Sequence, residues 1–180
     1  NIPSMQESMK NGEVTTAFKS TTIADGIAVK TPGDVTFEII NELVDEVVVV
    51  EEDEIAQGML FLMENQKVVA EGAGAVTTAA LLSGKYVPKK DENVVCVISG
   101  GNVDVNTLYR VIGTALTKEA RRYSFNTVIQ DKPGGLAELT KIISEYDANI
   151  LSANLSRSSM GGALGSLTAE MVLETFNHDH

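Results

Sequence analysis

The stretch that decides the fold is Val94-Val95-Cys96-Val97-Ile98-Ser99-Gly100-Gly101-Asn102, in which an uncharged apolar run ends in a hydroxyl, two glycines and an amide. Such a run is typical of a strand buried on both faces, as in a parallel sheet covered by helices. Ligands of open α/β sheets bind beyond the carboxyl ends of the strands, and glycines let the backbone approach a flat or anionic ligand closely. The sequence therefore predicts a binding crevice beside Ser99.

Strands and helices alternate on both sides of this stretch. Apolar runs at 47–50 and 68–70 predict two more buried strands, and apolar residues at helical spacing predict helices over 55–63, 76–82 and 105–118. Cys96 is interpreted as a small core residue of its strand. The alternation predicts an α/β fold containing part of a doubly wound sheet.

A different pattern begins near Tyr123. It predicts a strand over 124–130, a turn over 131–135, an amphipathic helix over 136–146, and strands over 150–156 and 167–176 joined by a Gly/Ser-rich loop over 157–165. This β-α-β-β order is two thirds of a split β-α-β unit, the ferredoxin-like arrangement. We therefore predict two domains, residues 1–122 and 123–180.

Composition limits the partners. The net charge of −11, from 25 acidic and 14 basic residues, disfavours nucleic acid and anionic membranes. No apolar run approaches the roughly 20 residues that span a bilayer, and the first residues do not resemble a signal peptide. One cysteine excludes a disulfide framework, and His178 and His180 resemble a polar tail more than a metal site. We expect a cytoplasmic protein without a metal, a membrane partner or a nucleic-acid partner.

Five stretches, taken in order, resemble the second half of the pyridoxal-phosphate-dependent threonine dehydratases, also called threonine ammonia-lyases. They are residues 22–29, Pro32-Gly33, Asp53-Glu54-Ile55, Glu71-Gly72-Ala73-Gly74-Ala75 and Ser99-Gly100-Gly101-Asn102. The resemblance covers about residues 1–122 and rests on the ordered set rather than on any single motif. It implies part of a fold-type II enzyme whose cofactor is pyridoxal 5'-phosphate (PLP). Such an enzyme converts L-threonine to 2-oxobutanoate and ammonia, with L-serine, which gives pyruvate, as a second substrate.

The resemblance also implies roles for single residues. Ser99 matches a serine that hydrogen-bonds the pyridine nitrogen of PLP, and Glu71 matches an acid near the same ring. Gly26 matches a glycine against the cofactor face, and Gly100 and Asn102 belong to the turn that aims Ser99. From the residues alone, Glu71 could equally be a helix N-terminal acid, and residues 99–102 could be an ordinary strand-to-helix turn.

Three parts of the family pattern have no match in this chain. They are the Schiff-base lysine, the loop that binds the substrate carboxylate and the Gly-rich phosphate loop. We therefore expect no catalytic residue in this chain and no turnover by this chain alone.

Residues from Phe125 onward resemble the front of an ACT regulatory domain, a family that senses small metabolites, often amino acids. The resemblance implies a homo-oligomer and an amino-acid or nucleotide effector in contact with Asp131, Gly134, Gly135 and Asn149. Some ACT domains only dimerise and bind no effector. The turn at residues 131–135 could therefore be an ordinary β-turn without an effector contact. The final helix and strand of the ACT pattern have no match here.

Other functions remain open from the sequence. Serine racemases share much of the same half-chain, so a racemase-like PLP enzyme is one alternative. A second is a regulatory fragment that binds an amino acid or pairs with a partner without catalysis. Nucleotide binding by a Rossmann-like sheet is disfavoured, because no G-x-G-x-x-G follows a strand.

Overall fold

The structure is a computed structural model that describes residues 2–18, 21–157 and 164–180. The chain divides into two compact units, Asn1–Ala115 and Leu116–His180. This division falls inside the last helix of the first unit, whereas the sequence pattern placed the boundary after Arg122. Among the described residues, no helix has both the length and the apolar composition needed to cross a membrane.

The first unit is built from helices and extended segments. The helices are α1 (Ser4–Asn11), α2 (Asp34–Leu43), α3 (Glu52–Phe61), α4 (Gly72–Leu82) and α5 (Val105–Lys118), with a 3-10 turn at Asp25–Ile27 and a π-helical turn at Leu62–Gln66. The acidic run at the start of α3 forms a capping box, in which the Glu51 backbone N–H donates to Glu54 Oε2 over 2.7 Å and the Glu51 side chain accepts from the backbone of Glu54. The acids therefore fix the start of α3.

Small residues bring α3 and α4 into close contact. A Cβ atom on Gly58 would lie 3.0 Å from the carbonyl oxygen of Ala75 and 3.0 Å from the nitrogen of Ala79. Both alanines are fully buried. Any larger side chain at position 58 would push the two helices apart, so the core of the first unit depends on this glycine.

The predicted parallel sheet is not present among the described residues. Segments 47–50, 68–70 and 94–98 are extended but form no ladder. The prediction that 94–98 is buried on both faces is wrong, since Val95 is 85% and Val97 66% exposed, and Cys96 is only half-buried. A strand of a parallel sheet is buried on both faces by helices that cover a paired sheet, and the described residues place no paired strand beside this segment.

The second unit confirms the predicted β-α-β-β order. It contains β1 (Arg122–Gln130), α6 (Gly135–Glu145), β2 (Asn149–Ser156) and β3 (Ser166–Glu174). The three strands form one antiparallel sheet in the order β1-β3-β2, so β1 and β2 are its edges and run in the same direction. Most of the predicted Gly/Ser-rich loop, residues 158–163, lies outside the described residues.

One face of this sheet packs against α6. The core consists of Ile143 from α6 and Ala169, Met171 and Leu173 from β3, with Phe125 and Ile129 of β1 packed against it. On the opposite face, β1 and β3 present polar residues, among them Asn126 and its register partner Glu170. The alternation along β1 and β3 therefore determines which face of the sheet is buried.

Candidate functional site

The start of α4 is tied to the turn at 99–102 through Glu71. Glu71 occupies the N-cap position of α4, and its backbone N–H donates to the carbonyl oxygen of Gly100 over 3.1 Å. Its side-chain Oε2 accepts a hydrogen bond from the backbone N–H of Asn102 over 3.0 Å. One residue thus holds the turn through both its backbone and its carboxylate.

Gly100 is required by this arrangement. A Cβ atom on Gly100 would lie 2.6 Å from Cδ of Glu71 and closer still to Oε1. A Cβ atom on Gly74 would lie 2.7 Å from the carbonyl oxygen of Gly100. The Glu71 carboxylate therefore fills the space that a side chain at position 100 would occupy, and α4 approaches the turn without a side chain between them.

Gly26 lies on another side of the same carboxylate. In the 3-10 turn, a Cβ atom on Gly26 would lie 3.2 Å from Cβ of Ala73 and 3.3 Å from Oε1 of Glu71. Among the described residues, Oε1 accepts no hydrogen bond. Gly26, Glu71 and Gly100, which the sequence predicted as site residues, are thus brought together around one carboxylate oxygen that can still accept a hydrogen bond.

Ser99 and Asn102 contribute to the site in different ways, Ser99 through its side chain and Asn102 through its backbone. Ser99 is exposed, and its hydroxyl makes no hydrogen bond to the described part of the chain, so it can bond a ligand. Asn102 contributes its backbone N–H, while its side-chain amide has no partner within the described ranges. The turn is therefore fixed by the main chain of Asn102, a role that any non-proline residue could fill.

Two contacts of this site were missed by sequence reasoning. Thr77 Oγ1 donates to the carbonyl oxygen of Val97 over 3.3 Å, which joins the extended segment to α4. A Cβ atom on Gly101 would lie 3.0 Å from the carbonyl oxygen of Val69, so segment 68–70 passes directly beside the turn. The only sequence signal was the second glycine, and it did not reveal which backbone lies against it.

In the second unit, Asp131 is paired with an arginine. Arg157 donates from Nε to Oδ2 over 2.7 Å and from Nη2 to Oδ1 over 3.0 Å, the fork geometry of a bidentate pair. The hydrogen bonds from this guanidinium, followed by its charge, hold the pKa of Asp131 below its usual value. Arg157 lies 26 positions away in sequence, and no local pattern identified it.

Gly134 and Gly135 shape the turn after β1. Gly134 precedes α6 with a left-handed backbone, at φ 93°. A Cβ atom on Gly135 would collide with the carbonyl oxygen of Gln130. These glycines have structural reasons to be present, whether or not a ligand binds beside them.

Asn149 lies at the other end of the sheet from this turn. Asn149 and Arg122 both align with Glu174, whereas Gln130, which precedes Asp131, aligns with Ser166. The nine residues of β1 separate the two ends by more than about 20 Å at the rise of a strand. One copy of the chain therefore does not bring the four predicted effector residues together.

Comparison with known proteins identifies the family to which the first unit is similar. The family model described as pyridoxal-phosphate dependent enzyme matches residues 1–100, which include Gly26, Glu71, Ser99 and Gly100. The chain is 47% identical over 180 residues to the L-threonine ammonia-lyase of Thermotoga maritima. The match covers 100% of this chain and 44% of that protein. It therefore spans less than half the length of this curated relative.

Two solved structures resemble the chain. The processed form of threonine deaminase isoform 2 from Solanum lycopersicum matches with a TM-score of 0.56 and 31% identity, covering 63% of this chain and 32% of that one. Maize serine racemase matches with a TM-score of 0.55 and 32% identity, covering 62% and 36%. Since the family model covers more than half of the sequence and includes the residues that meet at Glu71, this chain belongs to the pyridoxal-phosphate dependent enzyme family.

Proposed function

We propose that this chain supplies the second half of the catalytic domain of a PLP-dependent threonine ammonia-lyase, together with a regulatory unit of the ACT type. The observation that carries the proposal is the convergence of Gly26, Glu71 and Gly100 beside the exposed hydroxyl of Ser99. The 47% identity to a protein named L-threonine ammonia-lyase supports the choice of reaction. In this proposal, segments 47–50, 68–70 and 94–98 belong to the doubly wound sheet of a fold-type II enzyme.

The residues present fit PLP. The polar atoms of a pyridine ring need hydrogen-bonding groups, and Gly26 and Gly100 let the Glu71 carboxylate approach the turn that carries Ser99, because neither glycine has a Cβ atom in its way. The ring nitrogen needs a partner, and the exposed Ser99 hydroxyl can hydrogen-bond it. When bound, PLP supplies an electron sink for the electrons released at the substrate α-carbon.

The chemistry of Ser99 sets how strong that sink is. A hydroxyl is neutral, so it leaves the ring nitrogen largely unprotonated, whereas a carboxylate would stabilise its protonated form. A milder sink suits the elimination of a β-hydroxyl, because that step does not require long storage of charge on the ring. Glu71 Oε1, held beside Gly26, is the group of this chain that is positioned to exchange a proton or a hydrogen bond near the ring.

Replacement of Ser99 in the full-length protein that carries this chain tests the proposal. Ser99→Ala removes one hydrogen bond to the cofactor, and we expect kcat for 2-oxobutanoate formation from L-threonine to fall by about tenfold or more, since about 1.4 kcal/mol is a factor of ten. Bound PLP, measured by its visible absorbance, should remain. Ser83→Ala, at the other end of α4, is the matched control and should leave kcat unchanged. Wild-type turnover in Ser99→Ala would remove Ser99 from the site.

The likeness to maize serine racemase favours a second candidate, a racemase-like enzyme. The full-length protein should then convert L-serine to D-serine faster than to pyruvate. Chiral chromatography of the products separates the two reactions. Pyruvate without D-serine would leave only the ammonia-lyase.

For the second unit we propose a homo-oligomer that binds a small effector near Asp131, Gly134, Gly135 and Asn149. Because these residues lie at opposite ends of one sheet, a site that used all four would need two copies of the chain. Calorimetric titration with isoleucine, valine, threonine and nucleotides tests the effector. No heat with any of them would leave only pairing between copies, which light scattering measures.

A further inference from the structure

The loop over residues 21–26, which carries Gly26, is tied to a distant helix. Ile23 lies in this loop, just before the 3-10 turn that contains Gly26. The Ile23 backbone N–H donates to Oε2 of Glu52 over 2.8 Å. Glu52 is the first residue of α3 and lies 29 positions away in sequence. The hydrogen bond therefore fixes the 21–26 loop to the start of α3.

The next peptide of the loop lies against α4. A Cβ atom on Gly72, the first residue of α4, would lie 2.6 Å from the carbonyl carbon of Ile23 and 2.9 Å from the nitrogen of Ala24. Ala24 is 2% exposed. The backbone at Ile23 is thus held on one side by a side-chain hydrogen bond from α3 and on another by direct contact with α4.

Packing is incomplete on a further side of the loop. A pocket of about 420 Å³ is lined there by Thr21, Thr22, Ile23 and Glu52. The rest of its lining comes from Ala56 of α3 and from Thr107, Arg110, Val111 and Thr114 of α5. A pocket of this size has room for water, so contact with α5 does not hold the loop in place. The position of Ile23 therefore depends on its hydrogen bond to Glu52.

The position of Ile23 in turn sets the position of Gly26. The hydrogen bonds within the 3-10 turn Asp25–Ile27 join neighbouring residues, so the turn moves as one piece with Ile23. A Cβ atom on Gly26 would lie 3.2 Å from Cβ of Ala73 and 3.3 Å from Oε1 of Glu71. A displaced loop therefore opens the contact between Gly26 and the Glu71 carboxylate.

The other acids at the start of α3 make different contacts. Glu51 and Glu54 form the capping box, and Asp53 Oδ1 accepts the backbone N–H of Glu54 over 3.0 Å. Those contacts stay within α3, whereas the Glu52 side chain reaches the 21–26 loop. Glu52 also belongs to none of the five stretches that resemble the family.

We propose that Glu52 is a positioning residue for the PLP site. Through the backbone of Ile23 it holds Gly26 against the Glu71 carboxylate, so it determines where that carboxylate and the loop meet the cofactor. The inference rests on the function proposed above. Reach matters more than charge, because a backbone N–H needs an acceptor oxygen at hydrogen-bond distance rather than a negative charge nearby.

Two substitutions in the full-length protein separate reach from charge. Glu52→Gln keeps an acceptor oxygen at the same reach without the charge, whereas Glu52→Asp keeps the charge and is one methylene shorter. We expect Glu52→Asp to weaken PLP binding about tenfold, to shift the visible absorbance of bound PLP and to lower kcat about tenfold. Glu52→Gln should resemble wild type in all three. Glu54→Gln, which removes a charge from the same turn and retains the capping box, is the matched control.

Wild-type behaviour of Glu52→Asp, or equal losses in Glu52→Gln, would overturn the proposal. A wild-type protein that bound no PLP would instead overturn the proposed function.

Amide exchange in the 180-residue chain tests the hydrogen bond without cofactor or turnover. The Ile23 N–H should exchange about tenfold faster in Glu52→Asp than in wild type, while that of Met59, inside α3, should keep its rate. Unchanged exchange at Ile23 would contradict the proposal. Equal acceleration at Met59 would also overturn it, because Glu52 would then act only on the stability of α3.

Discussion

The two units show what happens to an apolar extended segment with and without neighbours. In the second unit, β3 lies between β1 and β2, and its inward residues Ala169, Met171 and Leu173 are at most 7% exposed. In the first unit, segment 94–98 is more apolar than β3 but has no ladder, and Val95 is 85% exposed. Composition thus sets how much burial a segment needs, while the burial itself comes from a paired sheet with a helix packed on its face, as α6 packs on β3.

Hydrogen exchange gives the largest expected contrast. The amides of Ala169 and Met171 are central to a three-stranded ladder, so they should exchange only when the second unit opens, whereas those of Val95 and Val97 should exchange almost freely. We expect protection factors to differ by about a hundredfold or more when NMR follows the chain in deuterated buffer. Comparable protection at Val95 would mean that segment 94–98 is paired after all.

Truncation of a core side chain tests the same contrast energetically. Met171 is 1% exposed, so Met171→Ala should lower the free energy of unfolding of the second unit by about 2–5 kcal/mol. Val95→Ala should change that of the first unit by less than about 0.5 kcal/mol. Urea unfolding of both variants measures the two costs. Similar costs would remove the distinction between the segments.

A smaller effect is expected where the first unit is well packed, at Glu71 and Gly100. Gly100→Ala places a methyl group against the Glu71 carboxylate, and overpacking of this kind costs about 1–3 kcal/mol. In a Glu71→Ala background the carboxylate is absent, so the same substitution should cost at least about 0.5 kcal/mol less. A double-mutant cycle by urea unfolding measures this coupling. Strictly additive costs would show that the two residues are not in contact.

The smallest effect is expected at Asp131, because the Arg157 side chain is 78% exposed and exposed ion pairs contribute little. The Arg157 guanidinium holds the pKa of Asp131 below its usual value in the folded chain. Its contribution to stability is therefore present above the unfolded pKa, about 4, and is lost as the pH falls through the folded pKa.

Thermal unfolding of wild type and Asp131→Asn at pH 7 and pH 3 measures this contribution. We expect wild type to be more stable at pH 7 and the difference to shrink at pH 3. Lys141→Gln, which removes an exposed pair within α6, is the control for general surface effects. A difference that stayed constant with pH would argue against the pairing of Asp131 with Arg157.

Residue alternation predicted the second unit well, because its buried face is read directly from β1 and β3. The first unit was predicted less well. The apolar run at 94–98 predicts a buried strand, but such a run does not reveal whether a paired sheet surrounds it. The family motifs identified Gly26, Glu71 and Gly100, but their convergence on one carboxylate oxygen depends on backbone approach that no spacing encodes. Likewise, Arg157 meets Asp131 only because β2 and β1 both pair with β3.

The uncharged edge of the sheet has a practical consequence. β2 (Asn149–Ser156) contains no charged residue, and its outward backbone groups have no ladder partner among the described residues. Open strands without charge recruit further strands from other molecules, which leads to aggregation. Concentrated samples of this chain should therefore precipitate by intermolecular sheet growth, and a lysine introduced by Ser152→Lys on the outer face of β2 should keep them in solution.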